Sequence, residues 1–308
     1  MNKFENYLTT AQGENRAYVD MPSLDTLWLN TGTLCNITCG NCYIESSPKN
    51  DALVYMTFDE VKTFLDEIRD ENMATNEIGI TGGEPFMNPD IIPIMNECLS
   101  RGFKLVVLTN AMRPMARHKV DLLELNEKYH DTLTIRVSVD HFNPEMHEEE
   151  RGEGTWAIAI EGLIWLSDNN FDINIAGRTR WGEQEQELRE GYKKLFAHNN
   201  IKIDADDLVQ LVLFPEMDEV NEVPEITTAC WDILSKKPEE IMCSNSRMVV
   251  KRKGADKPAV LACTLLPYED EFEFASTLKE SSKRVYLNHQ SCAEFCVLGG
   301  GSCSVKAD

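Results

Sequence analysis

From Thr26 to about residue 215 the chain repeats one unit, a short β-rich apolar run followed by a stretch patterned as a helix. The runs Thr26–Asn30, Glu77–Thr81, Lys104–Thr109, 133–139, 171–176 and 208–213 read as strands. Helical patterns fall over 90–100, 115–129, 156–167 and 183–198. An earlier helix opens on Thr57 with Glu60 three residues on, a capping box, and has Val61, Phe64, Leu65 and Ile68 on one face. Six strand–helix units in succession predict parallel strands joined by right-handed crossovers. No G-x-G-x-x-G follows the first strand, which counts against a dinucleotide-binding fold. The expectation is an α/β chain built as a partial (β/α)6, TIM-like barrel. In such folds the chemistry sits at the C-terminal ends of the strands.

The residues at those ends carry chemistry. After the first strand comes Cys35-Asn36-Ile37-Thr38-Cys39-Gly40-Asn41-Cys42, three thiols in eight residues. A closed zinc site takes four protein ligands, and a 4Fe–4S cluster takes four thiolates, one per iron. Three thiolates therefore fit a cluster with one iron left open, with a zinc site or disulfides as the alternatives. The second strand runs into Thr81-Gly82-Gly83-Glu84-Pro85, where two glycines permit close backbone approach and a carboxylate can receive an ammonium. Taken alone, it is a loop signal. Asn110, Ser138, Asp140 and Arg178 close the next strands. Hydroxyl and carboxylate suit a sugar diol, and a guanidinium suits a carboxylate; the plain alternatives are a helix-capping Asp140 and an ion-paired Arg178. His141, Arg180 and Gln210 lie close by.

The cysteine motif resembles the cluster loop of the radical S-adenosylmethionine (radical SAM) enzymes, and Cys35–Tyr43 is similar to their C-N-L-x-C-x-H-C-Y form. It departs at Asn41, where the family has an aromatic residue; Tyr43 is expected to supply a ring. The resemblance implies that Cys35, Cys39 and Cys42 hold a catalytic 4Fe–4S cluster whose free iron chelates SAM. An electron then splits the sulfonium into methionine and a 5′-deoxyadenosyl radical. It further implies that Gly82, Gly83 and Glu84 hold the amino group of SAM. Ser138 and Asp140 would meet its ribose and carboxylate, with Asn110, Arg178 and Tyr43 beside them. The reductant implied is of flavodoxin or ferredoxin type.

A net charge of −22 argues against a nucleic-acid or anionic-membrane binder. No apolar run approaches the ~20 residues that span a bilayer, and the N-terminus lacks a signal-peptide core. Ten cysteines point to a reducing, cytoplasmic setting.

From about residue 225 the pattern changes, and six of the ten cysteines follow. Segments 246–253 and 259–263 read as a hairpin, preceded by Cys243 and ended by Cys263. This region resembles the SPASM or shorter twitch extensions of radical SAM enzymes. The cysteine count suits one auxiliary 4Fe–4S cluster, with Cys243, Cys263, Cys292 and Cys296 as ligands and Cys303 as substitute. Zinc is the alternative. Cys98 and Cys230 read as small buried hydrophobes. The expected division is an N-terminal extension (1–24), a core (25–224) and an auxiliary-cluster region (225–308).

The resemblance implies an oxygen-sensitive enzyme that abstracts hydrogen from a substrate, the auxiliary cluster assisting an oxidation or bond-forming step. With about 25 residues ahead of the barrel, a small molecule is expected. A ribosomal peptide is the alternative, and a non-catalytic iron–sulfur or zinc protein is the reading from another class.

Overall fold

The computed structural model describes residues 2–217 and 222–302. In chain order the elements begin β1 (Tyr18–Val19), β2 (Thr26–Asn30), α1 (Phe58–Asp70), β3 (Glu77–Thr81), α2 (Ile91–Ser100) and β4 (Lys104–Thr109). Next come α3 (Arg113–Ala116), α4 (Lys119–Tyr129), β5 (Leu133–Ser138), α5 (Pro144–Arg151), α6 (Thr155–Asp168), β6 (Asp172–Arg178), α7 (Glu185–His198) and β7 (Leu211–Phe214). The chain continues through α8 (Cys230–Ile233), β8 (Ser246–Val250), β9 (Ala259–Leu261), β10 (Glu273–Ala275) and β11 (Val285–Tyr286).

One sheet dominates, in the order β10-β9-β8-β2-β3-β4-β5-β6-β7. Strands β8 and β2 through β7 run parallel, and β9 and β10 add antiparallel beyond β8. The two ends, β10 and β7, do not pair, so the sheet is open. Parallel strands buried on both faces must be apolar nearly throughout; β2 is buried at every position and β4 at four of six. Helices α1, α2 and α4 press Phe64, Leu65, Ile94, Met95 and Leu122 onto the sheet in one continuous core. Where Trp28 of β2 faces its register partner Gly79, a Cβ at position 79 would lie 2.4 Å from the indole. Only glycine fits there.

Several expectations shift, each for a local reason. The capping box of Thr57 and Glu60 forms as expected. The helix expected over 115–129 is two: α3 ends where the His118 N–H donates to Met115 O, three residues back, and α4 starts afresh. Helix α7 begins at Glu185 because the Glu187 carboxylate accepts from the Gln184 N–H. The sixth strand begins at Leu211 because Asp207 Oδ1 accepts from Val209 and Gln210 N–H and holds them in a turn. Gln210 therefore sits at the N-terminal end of β7, away from the strand ends that carry the cysteine loop.

Two features go beyond the sequence-based expectations. Helix α5 fills the gap after β5. The hairpin expected in the C-terminal region forms, with Met248 opposite Leu261, but β8 also pairs in parallel with β2, Thr26 against Ser246. The C-terminal region thus extends the same sheet.

Candidate active site

The three-cysteine loop follows β2, at the centre of the parallel strands. Cys35, Cys39 and Cys42 line one cavity together with Gly82 and Gly83 after β3, Asn110 after β4, Ser138 at the end of β5 and Asp140 just beyond it, and Arg178 at the end of β6. Tyr43 and Arg151 complete this wall. The strand ends and the thiols therefore meet, as expected for this fold.

The glycines are required by the cysteine loop itself. The Gly83 N–H donates to Gly32 O at 2.8 Å and the Glu84 N–H to Leu34 O at 3.1 Å. A Cβ on Gly83 would lie 2.2 Å from Leu34 O, and Gly82 has φ +137, which side chains rarely tolerate. The Glu84 carboxylate turns inward. It accepts from Thr109 Oγ1 (2.9 Å), the Asn110 N–H (2.9 Å) and the Phe86 N–H (3.1 Å). Burial pushes it up to about 7 against those donors. Glu84 thus ties β3 to β4, while the backbone of Gly82 and Gly83 faces the cavity. The Asn110 amide donates to Asn36 Oδ1 at 2.9 Å and braces the loop from a third side.

Helix α5 supplies residues the sequence reading missed. Its last turn places Glu150 and Arg151 against the loop. Glu150 is 2% exposed; its main-chain carbonyl accepts from the Gly40 N–H at 2.7 Å and its carboxylate from Asn41. Arg151 donates through Nε and Nη2 to both oxygens of Asp140, at 2.7 and 2.9 Å. Burial alone would raise the Asp140 carboxyl, but Arg151 and Arg178 hold it below its ordinary value. A helix-start signal was present: Asn143 followed by Pro144, with Asn143 Oδ1 accepting from Glu145 and Met146 N–H.

Arg178 donates to Asn41 O at 2.6 Å and to Glu216 at 3.2 Å, and its guanidinium lies 4.5 Å from the Tyr43 ring centroid. Tyr43 donates its hydroxyl to Pro215 O at 3.0 Å and meets Phe295 edge-on. Arg180 pairs with Glu149 and Glu216, and His141 contacts Glu183 at 3.1 Å. Burial pushes the Cys35 thiol up to about 12 and the Cys39 thiol to about 11. In the metal-free chain these sulfurs keep their protons, and a metal centre must displace them.

In the C-terminal region the Cys292 thiol is raised by burial and by its neighbours Cys263 and Cys243, so these three share one environment. Cys296 lies on the same π-helical turn as Cys292, Cys292–Leu298. Cys303 lies outside the described residues. Thr264 and Phe295, next in sequence to Cys263 and Cys296, line the main cavity. Cys98 is buried on α2, and Cys230 Sγ accepts from the Thr227 N–H. No disulfide joins two of the described cysteines. Among the described residues no three His, Cys, Asp or Glu side chains are grouped to hold a single metal ion, and no helix is long and apolar enough to cross a membrane.

A sequence profile of the Radical SAM superfamily matches residues 29–190. The chain is 29% identical over 205 residues, 64% of its length and 43% of the other's, to the antilisterial bacteriocin subtilosin biosynthesis protein AlbA of Bacillus subtilis. It is 31% identical over 111 residues, 36% of its length and 37% of the other's, to the S-adenosylmethionine-dependent nucleotide dehydratase of Selenomonas ruminantium. The match thus spans about two fifths of each curated relative. Among solved structures, Streptococcus suis SuiB bound to precursor peptide SuiA aligns with a TM-score of 0.59 at 13% identity, over 92% of this chain and 67% of that one. SuiB bound to S-adenosylmethionine gives 0.58 at 15%, over 82% and 63%. At these identities the likeness is one of fold.

Proposed function

The chain belongs to the radical SAM superfamily, and from that premise we propose that it cleaves SAM reductively and abstracts hydrogen from a substrate held over an open, partial barrel. One observation carries this reading. Cys35, Cys39 and Cys42 line a cavity that the Gly82-Gly83 backbone, Ser138, Asp140 and Arg178 also line, and no other described cysteine lines it. That donor set would hold a 4Fe–4S cluster and leave one iron without a protein thiolate. When bound, the cluster supplies the electron that splits the sulfonium bond of SAM to methionine and a 5′-deoxyadenosyl radical.

The chain's own residues bind and orient. The carbonyls and N–H groups around Gly82 and Gly83 receive the methionine amino group. Arg178 and Arg151 offer guanidinium groups to a carboxylate, and Ser138 offers a hydroxyl to the ribose. Asp140 orients Arg151 through two charge-assisted bonds. Tyr43 and Phe295 form an apolar wall that excludes water from a radical.

The C-terminal thiols Cys243, Cys263, Cys292 and Cys296 hold a second 4Fe–4S cluster in this reading. Arg247 supports it. Its guanidinium is fully buried, donates to the carbonyls of Ser281, Cys243, Ser246 and Lys283, and has no carboxylate partner among the described residues. A buried cation of this kind calls for an anion, and a thiolate-held cluster is one.

A small molecule suits the substrate space, because Thr264, Leu265 and Phe295 of the C-terminal region take up part of the cavity's wall. The peptide reading draws on the named roles of AlbA and SuiB. Anaerobic reconstitution, iron counting and an assay for 5′-deoxyadenosine test the proposal. Wild type should cleave SAM, and a Cys35→Ala/Cys39→Ala/Cys42→Ala variant should not while retaining the second cluster's iron. No iron uptake and no cleavage by wild type would refute it. A gene neighbour encoding a short peptide, whose mass changes on co-expression, would decide for the peptide substrate.

A further inference from the structure

Alternation along β2 divides its side chains between two faces. Leu27 and Leu29 join the core that the helices press on, so Trp28 points the other way, where it lines the cavity that holds the three thiols. Its six-membered ring rests on Gly79 of β3, and Leu53, Met248, Val250 and Leu261 cluster with it. The indole is thereby held in one orientation. It is 1% exposed, and its Nε1–H has no hydrogen-bond partner among the described residues. Ser46, just past the cysteine loop, repeats the pattern. It lines the same cavity, is 4% exposed, and its hydroxyl has no partner among the described residues. Its backbone N–H donates to Cys42 Sγ at 3.3 Å, which fixes the residue beside the thiols and leaves the hydroxyl unused.

Buried polar groups in folded proteins are nearly always hydrogen-bonded, because a donor left without an acceptor costs free energy. An acceptor that enters the cavity would recover that cost. Elsewhere on the same wall the polar groups are already engaged: Thr109 with Glu84, Asn110 with Asn36, Arg151 with Asp140 and Arg178 with Asn41. The charged side chains lining the cavity are Asp140, Arg151 and Arg178. They follow β5, end α5 and end β6, and β3 and β4 separate β2 from β5 in the sheet. Around Trp28 and Ser46 the wall is uncharged. Leu108 packs against the Trp28 cluster, and Ile44 lines the cavity two residues before Ser46. A carboxylate placed there would lose its water with no cation in exchange, whereas a neutral oxygen would not.

We propose that Trp28 and Ser46 select a substrate that presents an uncharged carbonyl oxygen, as an amide or a ketone does. The indole N–H, a donor only, donates to that oxygen, and the Ser46 hydroxyl bonds the same polar group. Calling the bound molecule the substrate rests on the proposed function; the pairing of the indole with a neutral acceptor does not. SAM also carries acceptors, but in that reading its amino, carboxylate and ribose groups are met by residues that follow β3, β5 and β6. The β2 side of the cavity is left to the second molecule.

The test uses the full metal-free chain with its five tryptophans labelled by nitrogen-15, so that each indole N–H gives one NMR signal. Trp28→Phe identifies the Trp28 signal by its loss. Should that variant not fold, Trp156→Phe, Trp165→Phe, Trp181→Phe and Trp231→Phe identify it by elimination. The probes are isobutyramide, its charged counterpart isobutyrate, and SAM. Isobutyramide should move the Trp28 proton signal downfield to saturation and leave the other four in place. Isobutyrate at the same concentrations should not move it. Ser46→Ala should bind isobutyramide about fivefold more weakly, one hydrogen bond's worth. No response to either probe overturns the site, and an equal response to both overturns the preference for an uncharged group. The same downfield shift with SAM alone gives the indole to SAM and overturns the substrate assignment. A reconstituted wild type that cleaves no SAM refutes the proposed function, whereas the isobutyramide shift would still establish the binding site.

Discussion

Glu150 holds Asn41 by both carboxylate oxygens, accepting from its backbone N–H at 2.7 Å and from its side-chain amide at 3.2 Å. Asn41 stands between Cys39 and Cys42, so this grip sets the spacing of two thiols from a different element. Glu150→Gln would place an amide donor against the Asn41 amide donor. The folded chain should lose about 1–3 kcal/mol. In the metal-free protein, Cys39 and Cys42 should alkylate faster with iodoacetamide, and reconstituted iron should fall. Glu149→Gln, one residue away and half exposed, should stay within about 0.5 kcal/mol of wild type. Equal alkylation rates in the two variants would dismiss the grip.

Gly83 and Gly13 make a controlled pair. A Cβ at position 83 would enter the Leu34 carbonyl, whereas at Gly13 nothing lies within 4 Å and only its φ of +82 resists. Gly83→Ala should displace the cysteine loop and abolish SAM cleavage. Gly13→Ala should cost about 1–2 kcal/mol of stability and leave cleavage intact. Calorimetry and 5′-deoxyadenosine yield read the two effects separately.

His147 gives a pH signature. It is fully buried, neither ring nitrogen has a hydrogen-bond partner among the described residues, and Trp156 lies edge-on to it. Burial, with help from Arg151, lowers its pKa from the ordinary 6.5 to about 4. The unfolded chain therefore binds the proton more readily, and the stability present above pH 6.5 is lost as pH falls towards 4. The loss by pH 5 should be about 2 kcal/mol. Urea unfolding of the metal-free chain at pH 7 and pH 5, for wild type and His147→Phe, isolates this term. A pH dependence identical in both would exclude His147 as its source.

Arg247→Met keeps the bulk of the side chain but removes its charge and strips donors from four carbonyls. Iron per chain should fall from about eight towards about four, one cluster's worth, while SAM cleavage at the first cluster survives. Arg247→Lys, which retains the charge, should keep more iron. Full iron in Arg247→Met would separate the guanidinium from the C-terminal thiols.

Much of this was legible in the sequence because it is local. Apolar runs such as Lys104–Thr109 announce buried parallel strands, Thr57 and Glu60 announce a helix start, and the spacing of Cys35, Cys39 and Cys42 announces three thiols that share one cavity. What stayed hidden depends on partners distant in sequence. The charged run Glu148-Glu149-Glu150-Arg151 reads as a solvated face; burial of Glu150 and Arg151 follows from the fold placing α5 against the cysteine loop. The side chain of Glu84 looks like a ligand until Thr109 and Asn110 are seen to occupy it. Nothing in Ser246–Val250 says that its second edge will meet β2.

That last pairing bears on how the protein is made. Thr26 and Ser246 are neighbours in the sheet but some 220 residues apart along the chain. At ribosomal rates of about 5–20 residues per second, β2 waits on the order of ten to forty seconds for β8 to be synthesised. Through that interval the strand that leads into the cysteine loop keeps one edge bare. The emerging chain therefore has a long window in which a chaperone, or a misplaced strand, can take the position that β8 occupies in the folded sheet.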